Sequence, residues 1–166
     1  ARIGARVDAS GALIPLDQQD RRLWDTALVN EGLALLQTAM ARHLPGPFQI
    51  QAAISALHVQ ADYPEATDWA QILLLYTRLE ALSPSPVVSL NRIVALAETG
   101  RLDRARRELE ALGSSLAQYQ PYHAARADLA RRAGDAETAR EAYREAITLS
   151  TSDSERAWLE GQIKSL

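Results

Sequence analysis

Cysteine is missing from the 166-residue sequence, which excludes disulfides and thiolate metal sites and leaves a reducing compartment unopposed. Lysine is almost missing too: Lys164 is the only one, so the basic side chains are arginines. Neither sign of charge dominates. Eighteen Lys and Arg against 21 Asp and Glu give a formal net charge of −3, which argues against non-specific affinity for nucleic acid. No apolar run approaches the roughly 18 residues that a membrane span needs. Residues 1–12, ARIGARVDASGA, lack the apolar centre of a signal peptide. A cytoplasmic protein that touches no membrane is expected. The phosphate-binding patterns GxGxxG and GxxxxGK[ST], the hydrolase elbow GxSxG and the metal motif HExxH are all absent, so no catalytic residue, cofactor or metal is expected. The chain opens on Ala rather than Met, which reads as a fragment or a processed product. Its length suits one domain with a core of its own.

What the sequence does hold is a repeat. ETGRLDRARRELEAL (98–112) and RAGDAETAREAYREA (132–146) align at an offset of 34, pairing Gly100 with Gly134, Ala105 with Ala139 and Leu109 with Tyr143. That period is the spacing of tetratricopeptide (TPR) helix pairs. Each Gly can end a helix in a left-handed conformation. Each Ala stands where two helices cross closely, and Leu109 or Tyr143 fills the groove beyond. DWAQILLLYTRLEALSPSP (68–86) reads as an earlier, looser unit, with Ile72, Tyr76 and Leu79 on one face and GPFQIQAAISALHVQA (46–61) as its partner helix. Ser85 can cap the helix that Pro86 opens. Residues 18 to 43 are expected to form a long helix with Trp24, Leu28, Leu35 and Ala39 facing inward, ended by Pro45, Gly46 and Pro47. Ser152 and Glu155 predict a capped terminal helix that covers the last repeat. Residues 1–16 look extended, as the remnant of an interdomain linker. The expectation is all-α: about eight helices in antiparallel pairs, wound as a right-handed TPR-like superhelix over residues 17–166.

The polar residues concentrate in DQQDRRLWD (17–25). Read as a helix start, Asp17 is the N-cap, Asp20 complements the positive helix end, Arg21 and Asp25 form an i,i+4 pair, and Trp24 enters the core. The stretch also suits a surface that holds a protein segment, which makes Gln19, Asp20, Arg21, Trp24 and Asp25 candidate partner-binding residues. Catalysis by its carboxylates lacks a companion nucleophile or base nearby in sequence. In VVSLNRIVALAE (87–98), Asn91 is expected on the concave side of the array, where it can hydrogen-bond a peptide backbone or tie down a neighbouring helix; Asp128 is a further candidate. The cluster Arg101, Arg104, Arg106 and Arg107 is interleaved with acids and reads as a solvated helix face. His43, His58 and His123 read as surface or helix-end residues. His58 and Asp62 have a spacing that metal ligands use, but no third ligand is evident.

Taken in order, DQQDRRLWD, NEGLALL (30–36), GPFQIQAAISALH (46–58), TDWAQILLLY (67–76) and SPSPVVSLNRIVALAE (83–98) resemble the C-terminal extension of one group of extracytoplasmic-function (ECF) RNA polymerase sigma factors, over about residues 11–165. That family commonly carries Asp-Gln-Asp-Arg-Ser followed shortly by Trp-Asp. Gln19, Asp20, Arg21, Trp24 and Asp25 match it, whereas Gln18 and Arg22 depart from it. The resemblance implies a regulatory domain without catalysis and without direct DNA binding. Its partners would be the sigma domains of the same polypeptide and core RNA polymerase. The alternatives are a free-standing TPR adaptor that binds a peptide in its concave groove, and a helical enzyme built on the Asp/Gln/Arg cluster.

Overall fold

Several helices in this chain begin where an acidic or hydroxyl side chain takes up a free backbone N–H. Asp25 accepts from the Leu28 N–H, Asp68 from Gln71, Asp135 from Thr138 and Ser152 from Glu155, each capping the helix that follows. The computed structural model describes residues 1–9, 11, 13–42 and 45–166. Among these the protein is all-α: α1 (Thr26–Met40), α2 (Pro47–Gln60), α3 (Trp69–Leu82), α4 (Pro86–Glu98), α5 (Leu102–Glu110), the short α6 (Gly113–Leu116), α7 (Gln120–Arg132), α8 (Ala136–Leu149) and α9 (Asp153–Lys164). The short α6 makes one helix more than the eight expected. Two compact units divide the chain.

The first unit comprises Ala1–Arg6 and Ile14–Arg92. In it α1 packs on α2 and α2 on α3, around Ile50, Ile54, Ile72 and Leu79, all buried. Its start differs from expectation. The helix foreseen from about 18 begins only at Thr26; before it come single 3-10 turns at Leu16–Gln18 and Arg21–Leu23. The reason is local competition. Asp20 accepts from the Arg22 N–H and closes its own turn, and Asp25 then caps α1 afresh. Trp24 therefore lies before the helix and does not set its inward face. Val29, Leu33, Leu36 and Ala39 are half-buried, while Leu28 and Leu35, expected inside, are 52% and 64% exposed. Residues 1–9 are not one extended run, since Ile3–Ala5 is another 3-10 turn.

The second unit comprises Val7–Leu13 and Ile93–Leu166. Val7 and Leu13 form an isolated antiparallel bridge. The 34-residue offset holds in space as it does in sequence. Gly100 and Gly134 have φ of 81° and 77°, a region open to glycine at little cost. After α7, the Gly134 N–H donates to the Arg131 carbonyl and the Asp135 N–H to Ala130, the paired bonds of a Schellman end. Ala105 and Ala139 are fully buried, as are Leu109 and Tyr143 within 2%. Ala127, Ala130, Ala142 and Ala146 join Ala139 and Tyr143 in a core that α9 closes with Leu159, backed by Trp158, Ile163 and Leu166. A core so rich in alanine brings helix backbones close, so dispersion contacts between backbones replace those of large side chains.

Candidate partner-binding site

The nine residues 17–25 divide by the direction of their side chains. Gln19, Arg21 and Trp24 turn in. Gln19 is buried and its Nε2 donates to the Ile14 carbonyl at 3.0 Å, which fixes the chain ahead of the turn. Arg21 reaches furthest. Its Nη1 donates to the carbonyl of His58 at 2.8 Å and to that of Ala61. These carbonyls lie at the C-terminal end of α2, where backbone acceptors have no intrahelical donor and the helix dipole is negative. A guanidinium there satisfies both demands, so Arg21 fastens the turn to α2. Trp24 is buried beneath it, with the Arg21 guanidinium 5.0 Å and that of Arg2 5.9 Å from its ring centroid, both within cation–π range.

The other side chains turn out. Asp20 pairs with Arg22 through a bidentate contact, Nε and Nη2 donating at 3.0 and 2.8 Å. The Arg22 side chain is 89% exposed, and the pairing holds the Asp20 carboxyl below its usual range. Leu23 is 58% exposed. Asp25 is spent on the α1 cap, and its N–H donates to the Ala1 carbonyl at 2.9 Å. The i,i+4 pair expected between Arg21 and Asp25 does not form, because the two residues are not in one helix. Nothing is described of the Asp17 side chain, and His43 lies outside the described residues.

His58 supplies more than its carbonyl. Its ring meets Trp69 edge-on, with centroids 5.2 Å apart. Burial, and then the guanidiniums of Arg2 and Arg21, lower its pKa below the usual 6.5. His123, expected at the surface or a helix end, stands in the first turn of α7 and is buried, with its Nε2 2.9 Å from the Ala117 carbonyl. A carbonyl only accepts, so Nε2 carries the proton and joins α7 to the segment after α6.

Asn91 is exposed on α4 in the first unit. Asp128, in the second unit, is engaged by Arg131 at 2.6 Å and Arg132 at 3.5 Å. Arg132 also donates to Glu98 at 2.5 Å, the residue one repeat earlier, so equivalent positions of successive repeats are bonded together. An open groove of about 310 Å³ in the second unit is lined by Arg106, Glu110, Tyr122, Arg126 and Asp135 among others. Its arginines are paired with Asp135 and Glu141. Among the described residues no group of three or more His, Asp or Glu is placed to hold a metal ion, and no helix is long and apolar enough to cross a membrane.

Sequence reasoning named Gln19, Arg21 and Trp24 but missed what they hold. Arg21 and its acceptors are 37 and 40 residues apart, beyond any local pattern.

Residues 1–40, which contain the turn and all of α1, match a family of unknown function (DUF6596). The whole chain is 47% identical over 166 residues to an uncharacterized protein of Rhizobium meliloti (strain 1021). The chain spans 39% of the length of that relative. No solved structure matches it.

Proposed function

We propose that this chain is a regulatory, protein-interaction domain, without catalysis, of a bacterial ECF sigma factor, built as a TPR-like array. It modulates transcription initiation by contacts with the sigma domains of the same polypeptide or with core RNA polymerase. The observation that carries the reading is the division of labour in DQQDRRLWD. Gln19, Arg21 and Trp24 are consumed in fastening the turn, which presents Asp20, Arg22 and Leu23 outward on a fixed backbone. That arrangement supports a partner-holding platform rather than a reaction centre, although Arg22 departs from the sigma-factor pattern that Gln19, Asp20, Arg21, Trp24 and Asp25 match. The greater length of the Rhizobium relative fits a domain within a larger polypeptide. Repeat arrays of this kind recognise partners through surfaces that leave their cores untouched.

The test is promoter-dependent transcription by the full-length polypeptide with core RNA polymerase. Leu23→Asp combined with Arg22→Glu reverses the outward chemistry and leaves the inward anchors in place. Initiation is expected to fall at least severalfold while the melting temperature stays put. Undiminished initiation by a folded variant removes the platform, and a native reading frame that encodes no promoter-reading domain removes the sigma-factor assignment.

A further inference from the structure

Helix α1 is well formed but buries none of its side chains. Its inward stripe, Val29, Leu33, Leu36 and Ala39, is half covered. On the adjoining face Leu28, Gly32 and Leu35 follow one another at i, i+4 and i+7, a line that half-buried Ala39 continues at i+11, and the two leucines lie largely in water. Gly32 is the informative member. Glycine inside a helix is unfavourable relative to alanine, and a Cβ added at Gly32 meets nothing within 4 Å. Nothing among the described residues requires glycine at this position. A second helix laid between Leu28 and Leu35 would require it, because the missing side chain lets two backbones approach.

We propose that the Leu28–Gly32–Leu35 face of α1 is a groove for an amphipathic helix of the same longer polypeptide. This rests on the sigma-factor reading, which places promoter-reading domains ahead of Ala1. Three observations select that occupant. The chain spans only 39% of its Rhizobium relative, so there is polypeptide to supply a helix. The Ala1 carbonyl is bonded to the Asp25 N–H at the first turn of α1. A preceding segment is therefore delivered beside Leu28 at high effective concentration. The only charge on α1 is Glu31, which calls for a basic residue on the incoming helix. A second copy fits less well. Twofold pairing that sets Leu28 against Leu35 centres near residues 31 and 32, which brings two Glu31 carboxylates together. An anionic lipid surface fits less well again, since α1 carries no Lys or Arg to meet it.

Hydrogen exchange on the full-length polypeptide tests the proposal, comparing the wild type with Leu28→Glu/Leu35→Glu and, separately, Gly32→Leu. The first variant removes the apolar face. The second fills the groove with a better helix former and cannot melt α1 for lack of room. In both, α1 amides are expected to exchange about tenfold faster or more, the effect of uncovering one large apolar side chain, with α2 and α8 unchanged. Equal α1 exchange in all three proteins overturns the groove. Protection that rises with protein concentration gives the face to a second copy and also overturns it. Transcription, read on the same samples, separates the two proposals. Unprotected α1 in a protein that still initiates at promoters rejects the groove and spares the sigma-factor reading. Protected α1 in a protein that initiates nowhere keeps an intramolecular contact and rejects that reading.

Discussion

Replacing Arg21 by alanine is the sharpest perturbation of the turn. The Nη1 bonds to the His58 and Ala61 carbonyls are charge-assisted, worth about 1.5–3 kcal/mol when a charged group takes part. They share one nitrogen, so they do not add in full. The stacking of the guanidinium 5.0 Å from the Trp24 centroid contributes about 0.5–1 kcal/mol more. Together Arg21→Ala is expected to destabilise the first unit by about 2–4 kcal/mol, because the end of α2 loses its donors while Trp24 loses its cover. For a chain of this length each kcal/mol moves the melting temperature by about 2–4 °C, giving a fall of about 4–16 °C. Tryptophan fluorescence reads it locally, since Trp24 and Trp69 belong to the first unit and Trp158 to the second. Arg22→Ala is the matched control, its side chain 89% exposed; that variant should melt as the wild type does. Arg21→Lys should recover part of the loss, since an ammonium supplies a charge but not the planar fork. An Arg21→Ala transition within 1 °C of the Arg22→Ala transition refutes the fastening role.

Two further substitutions probe His58 and Ala139. The depressed pKa of His58 means that the unfolded chain binds a proton which the folded chain resists, so stability rises with pH across that window. The contribution is complete above about 6.5 and is lost as pH falls below it. The acid-induced drop in melting temperature between pH 7.5 and 5.5 should therefore shrink in His58→Gln, and an unchanged drop counts against the site. Ala139 is fully buried in the alanine-rich core, where added methylenes have nowhere to go. Ala139→Leu is expected to destabilise by about 1–3 kcal/mol or more, measured by urea unfolding; tolerance of leucine means that the helices do not cross closely there.

What was legible in the sequence was whatever a residue demands of its immediate neighbours. Gly100 and Gly134 had to adopt positive φ, and Ala105 and Ala139 had to sit at close crossings; both demands repeat every 34 residues and survive in space. Residues 17–25 were misjudged because they contain neither Gly nor Pro and are filled with Gln and Arg, good helix formers. Asp20 and Asp25 decided otherwise, taking up an N–H two and three residues on and so breaking one prospective helix into a turn and a later start. The Arg21 acceptors are set by tertiary placement. They leave no periodicity to read.

The inward face of α1 was missed for another reason, which bears on function. Apolar residues cover two adjoining faces of that helix, so periodicity could not choose between Leu28/Leu35 and Val29/Leu33/Leu36. The helix that ends the second unit poses no such ambiguity. On α9, Leu159 is buried, and the exposed positions Ala157, Glu160, Gly161 and Lys164 are small or charged, as befits the terminal helix of a repeat stack. Nearly all the strongly exposed large apolar side chains among the described residues lie in the first unit, with Val7 the exception. Leucine in water contributes nothing to the stability of the unit that carries it, and Gly32 weakens the helix further. A sequence shaped only to fold that unit would hold alanine and polar residues at these positions. The choice of leucine, glycine and leucine on one face is accounted for when α1 answers to a surface beyond its own unit.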